Sequence, residues 1–188
     1  MRFCSQCGSP VQTRVPEGDN RERHVCSACD TIHYSNPNNV CGCILEWRGR
    51  VLLCKRDIQP RHGYWTLPAG FMENRETTVE GAAREAREEA CAEAEGLALF
   101  GIFNLPFISQ VYLMYHGQLS GGAARPGAET SEVGLFDEDG VPWEELAFPV
   151  VTESLRCWFE DRRRGGFRVH HADILSRPGQ PLQVHRLD

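Results

Sequence analysis

Two pairs of cysteines restrict what the start of this chain can fold into. The pairs are Cys4-x2-Cys7 and Cys26-x2-Cys29, with 18 residues between them. Each Cys-x-x-Cys offers two thiolates from one tight turn, and the spacing is typical of four-cysteine zinc sites rather than of a redox pair in a βαβ unit. Because a piece of about 30 residues cannot build a sufficient hydrophobic core, we expect these four cysteines to bind a structural zinc ion.

The composition restricts the compartment and the partners. The chain has 188 residues, of which 41% are hydrophobic, and its formal net charge is −6. This length permits one medium domain with a small appendage. No run approaches the 18 or so apolar residues of a membrane span, and the N-terminus lacks the apolar core of a signal peptide, so we expect a cytoplasmic protein with no membrane partner. The acidic balance argues against nucleic acid as a partner, because a phosphate-backbone binder is basic.

The patterning divides the chain into three pieces: residues 1–35, residues 36–165 and a C-terminal tail of residues 166–188. In the second piece, β-prone runs predict strands at Val40–Trp47, Val51–Lys55, Leu97–Phe103, Gln110–Leu119 and Val133–Phe136. Helical spacing predicts helices from Thr77 to about Ala94 and at Val150–Arg164. Ser120–Ala128 is Gly/Pro-rich and is predicted to be a mobile loop. The tail has weak periodicity, which leaves both a docked and a disordered tail open.

The first predicted helix concentrates negative charge on one side. Glu85, Glu88 and Glu89 stand at i, i+3 and i+4, so they share a face, which we place opposite a narrow apolar stripe. The stripe consists of Val79, Ala83, Ala86 and Ala90. Like charges at this spacing destabilise a helix, and clustered carboxylate oxygens suit hard cations such as Mg²⁺ or Mn²⁺. A solvated acidic face is the alternative that these residues alone leave open.

The surroundings of these glutamates resemble the box of the Nudix hydrolases, G-x5-E-x7-R-E-U-x-E-E-x-G-U, where U is a bulky apolar residue. Six of its seven fixed positions match, namely Gly70, Glu76, Arg84, Glu85, Glu88 and Glu89. Cys91 stands where the family has the glycine that ends the helix in a left-handed turn. We therefore expect this helix to run on to a stop near Gly96.

The resemblance implies a fold and a chemistry. The fold is α/β, the Nudix α/β/α sandwich with a mixed sheet, preceded here by a small zinc ribbon. The reaction is hydrolysis of a nucleoside diphosphate linked to another group, a small-molecule nucleotide substrate. By resemblance, Mg²⁺ or Mn²⁺ is held by Glu85, Glu88 and Glu89, with the carbonyl of Gly70.

The resemblance also gives roles to the neighbouring charged residues. Arg84 is expected to pair with Glu76 and to fix the loop against the helix. The general base stays open between the last two glutamates of the box, Glu88 and Glu89, and two acids that follow the Gly/Pro-rich loop. These two are Glu129 and Glu132, placed where a carboxylate can swing toward the site.

The resemblance extends to the zinc-ribbon Nudix group that includes a plant chloroplast pyrophosphatase acting on FAD and ADP-ribose. It is carried by the cysteine pairs and by five further segments: Tyr34-x-Asn36-Pro37, Leu52–Pro60, His62–Gly70, Pro126–Glu132 and Leu146–Phe148. It implies cleavage of FAD to FMN and AMP, or of ADP-ribose to AMP and ribose 5-phosphate, and it allows a homodimer. The alternatives within the family are an NADH pyrophosphatase, whose S-Q-P-W-P-F-P-x-S element is absent here, and a nucleoside triphosphate hydrolase. The alternative of another class is a nucleotide- or nucleic-acid-binding module without catalysis.

Further candidates for substrate contacts are arginines and aromatic residues around the box. Arg56 and Arg61 precede the box, where each could meet phosphate or face solvent. The aromatic candidates for stacking on a base are Phe71, Phe103, Tyr112, Trp143 and Phe148, each of which could equally be a core residue.

Overall fold

The computed structural model describes residues 1–187 and separates into two compact units, Met1–Pro37 and the chain from Asn38 onward. The first unit is an antiparallel sheet of three short strands: β1 (Val11–Arg14), β2 (Arg23–Cys26) and β3 (Ile32–His33). Its buried residues are few and include Val25 and Cys26. This unit therefore buries too little apolar surface to be stable by packing alone.

The second unit contains the predicted strands and helices, with ends that differ by a few residues, and several short strands that the patterning missed. In chain order they are β4 (Asn38–Trp47), β5 (Arg50–Arg56), β6 (Trp65–Thr66), β7 (Ala69–Phe71), α1 (Thr78–Ala90), β8 (Ala94–Leu105), β9 (Gln110–Leu119), β10 (Thr130–Phe136), α2 (Pro149–Arg164), β11 (His170–Leu175) and β12 (Gln183–Arg186). None of the helices within residues 1–187 is long and apolar enough to cross a membrane.

The strands of the second unit form one mixed sheet of nine strands. The order is β10-β5-β4-β9-β8-β11-β12, while β6 pairs with β5 and β7 pairs with β4. The β4–β9 and β8–β11 pairs are parallel, and the others are antiparallel. Strands β4 and β5 are joined through Arg48 and Gly49, which both have positive φ. Two such residues are the requirement of a tight two-residue hairpin turn.

Successive residues of the central strand β4 face opposite layers, as the pleat of a strand requires. Ile44 belongs to the apolar cluster that includes α2, whereas Cys43 and Leu45 belong to the cluster that includes the buried alanines of α1. The sheet thus lies between two helices. The predicted α/β/α sandwich with a mixed sheet is confirmed.

The described part of the tail completes the sheet. Strand β11 pairs in parallel with β8, and β12 pairs with β11. Ala172 and Ile174 are buried, and the imidazole of His170 lies 2.8 Å from the carboxylate of Asp161 on α2. The described residues of the tail are therefore docked against the rest of the second unit, which is one of the two alternatives left open by the sequence. Asp188 lies outside the described residues.

Candidate active site and zinc centre

The N-terminus of α1 is fixed by a capping box. The hydroxyl oxygen of Thr77 accepts a hydrogen bond from the backbone N–H of Glu80 at 3.3 Å, and the Glu80 carboxylate accepts one from the N–H of Thr77 at 2.7 Å. Two of the unpaired donors at the helix start are thereby satisfied. The helix begins where the sequence pattern predicts, and this start sets which residues face the sheet.

The C-terminus of α1 lies earlier than expected. The helix ends at Ala90, so the prediction that it continues to a stop near Gly96 is wrong. Cys91 itself adopts the left-handed conformation, with φ 46° and ψ 36°. Its N–H donates to the carbonyl of Arg87 at 3.0 Å, and the N–H of Ala92 donates to the carbonyl of Ala86 at 3.1 Å. A non-glycine residue pays about 1–2 kcal/mol for this conformation. Burial of Ala92 and the start of β8 at Ala94 offset that cost.

The three glutamates of the box do not lie opposite the alanines. Glu85 and Glu89 are each only 8% exposed, whereas the Glu88 side chain is 59% exposed. The buried side of α1 contains Gly81, Ala82, Ala86 and Ala90 together with Glu85 and Glu89, while Val79 is exposed. A helix on a flat sheet buries adjacent positions at each turn. The predicted opposition of acidic and apolar faces is therefore wrong, because two of the acids point into the protein.

Gly70 makes room for one of these buried acids. A Cβ atom at this position would lie 2.3 Å from Oε1 of Glu85 and 2.7 Å from its Oε2. Such distances are far below van der Waals contact, so any side chain here would displace the carboxylate. Gly70 lies on β7, beside Cys41 of β4. The first residue of the predicted box thus contacts the helix directly.

Glu89 is the most perturbed acid of the site. Burial raises its pKa to about 8, and the nearby charge of Glu85 also raises it. One carboxylate oxygen accepts the N–H of Ala69 at 3.2 Å, which opposes this effect. Burial likewise raises the pKa of Glu85. Carboxylates held this way favour either a proton or a cation, because an isolated buried charge is costly.

Arg84 connects the loop of the box to the helix. Its guanidinium donates two hydrogen bonds to Glu76, at 3.0 and 2.9 Å, and one to the carbonyl of Phe71 at 3.0 Å. Hydrogen bonds from Arg84 lower the pKa of Glu76 to about 2. The remaining nitrogen, Nη1, contacts Glu85 at 2.6 Å and Glu88 at 2.9 Å. The guanidinium therefore contacts three of the four carboxylates of the box.

The two acids predicted after the Gly/Pro-rich loop occupy different environments. Glu132 lies on β10 and pairs with Lys55, with Nζ and Oε2 3.6 Å apart. The charge of Glu129 contributes to the raised pKa values of both Glu85 and Glu89, after burial and nearer groups. Glu129 is therefore among the charges that act on both buried acids, whereas Glu132 is paired with Lys55.

The loop predicted to be mobile is attached to the end of α1. The N–H groups of Arg125 and Gly127 donate to the carbonyls of Ala90 and Glu89, each at 2.9 Å. A Cβ atom at Gly127 would lie 1.7 Å from the carbonyl oxygen of Glu88. Only glycine permits this approach. The sequence pattern identified the glycine but carried no signal for its contact with the helix.

The four cysteines of the first unit converge as a zinc site requires. Their Sγ atoms all lie within 4.8 Å of one another, and they are the only such group of three or more candidate ligands in residues 1–187. The Cys4–Cys29 and Cys7–Cys26 sulfur atoms are 3.7 and 3.5 Å apart. A tetrahedral zinc ion with Zn–S bonds of about 2.3 Å separates its sulfur ligands by roughly 3.8 Å. The geometry fits zinc.

Hydrogen bonds around these sulfur atoms also favour thiolates. The N–H groups of Gln6 and Ala28 each point at the first sulfur of their pair, at 3.4 Å. Hydrogen bonds from Ser9 lower the pKa of Cys7 to about 6. The imidazole Nε2 of His33 lies 3.3 Å from the Cys4 sulfur, next to the four-cysteine group rather than inside it. Four thiolates therefore suffice as ligands.

Comparison with known proteins identifies the family. The family model described as Nudix N-terminal, a zinc ribbon, matches residues 2–35, and the model of the NUDIX domain matches residues 35–161. The chain belongs to the Nudix family. The four-cysteine cluster lies within the zinc-ribbon match, and the glutamates of α1 lie within the NUDIX match.

Named relatives within the Nudix family differ in their substrates. The chain is 31% identical over 148 residues to the NAD-capped RNA hydrolase NudC of Vibrio atlanticus, which covers 76% of this chain and 51% of that protein. It is 31% identical over 122 residues to the ADP-ribose pyrophosphatase of Methanocaldococcus jannaschii, covering 61% of this chain and 69% of that protein. The chain thus spans about half the length of the NudC relatives.

Among solved structures, a NUDIX hydrolase from Nitrosomonas europaea is similar over almost the whole chain. It aligns with a TM-score of 0.86 and 49% identity, covering 92% of this chain and 99% of that one. This similarity extends over more of the chain than the NUDIX match alone.

Proposed function

We propose that this Nudix protein is a metal-dependent pyrophosphatase that hydrolyses the diphosphate bond of a nucleoside diphosphate linked to another group. The observation that carries the proposal is the pair of buried carboxylates, Glu85 and Glu89, on α1 beside Gly70. Their pKa values are raised by burial. Burial of two acids costs stability unless a cation or a proton compensates their charge. A metal ion bound between them would supply that cation, and this best explains why two acids lie buried here.

Glu85, Glu88, Glu89 and the Gly70 carbonyl would hold Mg²⁺ or Mn²⁺, since hard oxygen ligands suit these ions. When bound, such ions neutralise phosphate charge and acidify a water molecule. The chain's own contribution is positioning. Arg84 and Glu76 fix the loop that follows strand β7, on which Gly70 lies, and the N–H of Ala69 orients the Glu89 carboxylate.

For the general base, the contacts favour Glu129 over Glu132. Glu132 is engaged by Lys55, whereas Glu129 is exposed and its charge acts on both buried acids. Glu88 is a second candidate, because its side chain is largely exposed, although Arg84 donates to it. Glu89 is less suited, since it accepts the Ala69 N–H and is buried.

For the substrate, we propose ADP-ribose or FAD. The ADP-ribose pyrophosphatase among the relatives supports the former, and FAD follows from the resemblance of the cysteine and box motifs to the plant chloroplast group. NADH or another NAD-derived compound is the second candidate, favoured by the names of the NudC relatives.

The decisive experiment offers ADP-ribose, FAD and NADH side by side with Mg²⁺ and separates the products by chromatography. Release of AMP from ADP-ribose or FAD, dependent on Mg²⁺, is the expected result. Preferential cleavage of NADH would support the second candidate. Binding of all three compounds without any product would instead indicate the non-catalytic module and overturn the proposal.

We also propose that Cys4, Cys7, Cys26 and Cys29 hold a zinc ion with a structural role. Four thiolates complete a tetrahedron and leave no open position for a substrate or water. Because the first unit has only a small buried core, the binding of such an ion would stabilise its fold.

A further inference from the structure

The structure separates two arginines that the sequence treats alike. Arg61 is exposed in the loop between β5 and β6, with its guanidinium 5.4 Å from the ring centroid of Tyr64. Arg56 is the last residue of β5 and is half-buried. The two residues differ in how firmly the protein holds them.

The Arg56 side chain is held from two directions. Its Nε donates to the carbonyl of Pro60 at 2.8 Å, and its guanidinium stacks over the ring of Phe148 at 5.2 Å from the centroid. The backbone at Arg56 pairs with Thr130 of β10, and its N–H donates to the carbonyl of Tyr64. A guanidinium fixed in this way loses little further freedom when it binds a ligand.

The two terminal amino groups of Arg56 keep their donor capacity. Within residues 1–187, the Nη atoms have no hydrogen-bond acceptor and no ion-pair partner. Neither Nη atom is a buried unsatisfied group, so both stay accessible from solvent and can donate to an incoming anion. The planar pair of Nη groups matches the oxygen atoms of a phosphate or diphosphate.

The position of Arg56 relates it to the acids of α1. Cys54, two residues earlier on the same face of β5, packs under α1 in the cluster of its alanines. Thr130, the partner of Arg56, donates its N–H to Gly127, which in turn binds the carbonyl of Glu89. Arg56 is thus connected to the backbone at Glu89 through Thr130 and Gly127, at the edge of the site.

We propose that Arg56 binds the diphosphate of the substrate through its Nη groups, with Phe148 as the platform that holds the guanidinium, and that Arg61 has no such role. The inference rests on the proposed function and names the anionic group that the site recognises. It adds a fixed cation to the positive charge that bound metal ions would supply to the diphosphate. Charge neutralisation of this kind is the main requirement for attack on a diphosphate.

The test measures binding rather than turnover. The probe is the ADP-ribose analogue in which a methylene group replaces the bridging oxygen, titrated calorimetrically in Mg²⁺ against the wild type, R56Q, R56K and R61Q. We expect R56Q to bind roughly 10- to 100-fold more weakly, because hydrogen bonds to charged groups are lost. R56K, which keeps the charge without the planar fork, is expected between R56Q and the wild type. R61Q is the matched control and is expected within about twofold of the wild type, as for an exposed charge.

The outcomes distinguish this inference from the proposed function. Wild-type affinity of both R56Q and R56K overturns the role of Arg56, even when the wild type cleaves one of the three dinucleotides. A wild type that neither cleaves any of them nor binds the analogue overturns the proposed function and this inference with it. Melting temperature and zinc content establish that each variant is folded, and R56K carries the test if R56Q is not.

Discussion

Glu89 shows how the location of a single side chain sets its chemistry. It is one turn from Glu85 and adjacent to Glu88 in sequence, yet burial raises its pKa to about 8, while Glu88 is largely exposed. The N–H of Ala69 only partly offsets the burial. In the protein without a bound cation, Glu89 is therefore protonated at neutral pH.

This protonation makes the stability of the magnesium-free protein depend on pH. The pKa of an unfolded glutamate is about 4.3 and that of folded Glu89 is about 8. The folded state thus binds the proton more tightly, so this contribution to stability is fully present below about pH 4.3 and is lost as the pH rises through about 8. Between pH 5 and 9, we expect the wild type to lose several degrees of melting temperature relative to E89Q, whose amide oxygen can still accept the Ala69 N–H. If the melting temperatures of the two proteins change with pH in parallel, the raised pKa of Glu89 is contradicted.

Glu88 differs in that its contribution is expected to be to activity rather than to stability. Because its carboxylate is exposed and Arg84 is its one side-chain partner within residues 1–187, E88Q should leave the melting temperature within about a degree of the wild type. The variant should lower kcat by at least about 100-fold if a metal ligand is lost. E93Q, an exposed acid near the end of α1, is the control and should retain activity. Near-normal turnover of E88Q in a Mg²⁺ assay would refute the metal assignment.

Helix α1 is positioned by contacts at both of its ends. The capping box fixes its start, and the hydrogen bonds from Arg125 and Gly127 engage its last carbonyls. Between these ends, the buried alanines allow the helix to lie close to β4, with the Cys43 thiol 3.6 Å from the carbonyl of Ala82. The Glu85 carboxylate is thereby held against Gly70, and the Glu89 carboxylate accepts the N–H of Ala69.

The end of this helix is strained, which predicts a stabilising substitution. Cys91 has φ 46°, and glycine adopts such a conformation without steric cost. We expect C91G to raise the free energy of unfolding by about 0.5–1 kcal/mol, after allowance for the entropy of glycine in the unfolded chain. The urea unfolding midpoint measures this. C91A keeps the Cβ atom and serves as the control; a C91G variant no more stable than C91A would show that Cys91 is unstrained.

In the whole molecule, the two units depend on different sources of stability. The sheet of the second unit buries apolar side chains on both faces, whereas the first unit buries few and depends on its cysteine cluster. Zinc binding and folding of the first unit are thus expected to be coupled.

We therefore predict one zinc ion per chain and a localised response to its removal. A strong chelator should increase amide hydrogen exchange across residues 1–37 while leaving the exchange of β4 and β9 unchanged. C26S should reproduce this effect, and C91S, which changes an exposed cysteine outside the cluster, should keep the zinc. Metal analysis that finds no zinc in the purified protein would contradict the prediction.

The local features of this chain were predictable from residue types and spacing. The start of α1 near Thr77, the two strands on either side of Arg48 and Gly49 and the convergence of the four cysteines depend on neighbours close in sequence or on pairs with a fixed spacing. The Nudix resemblance supplied the sandwich, because its motif carries the fold along with the chemistry. These inferences needed no knowledge of long-range packing.

Packing between distant segments decided the remainder. The helix ends at Cys91 because burial of Ala92 outweighs a left-handed residue, and the tail forms β11 because Ala172 and Ile174 fill a space beside β8 and α2. Packing between distant segments also buries Glu85 and Glu89, and it leaves Arg56 half-buried while Arg61 is exposed. Each outcome depends on which surfaces meet in three dimensions. Periodicity along the chain shows which residues share a face, but it does not show which distant segment packs against that face.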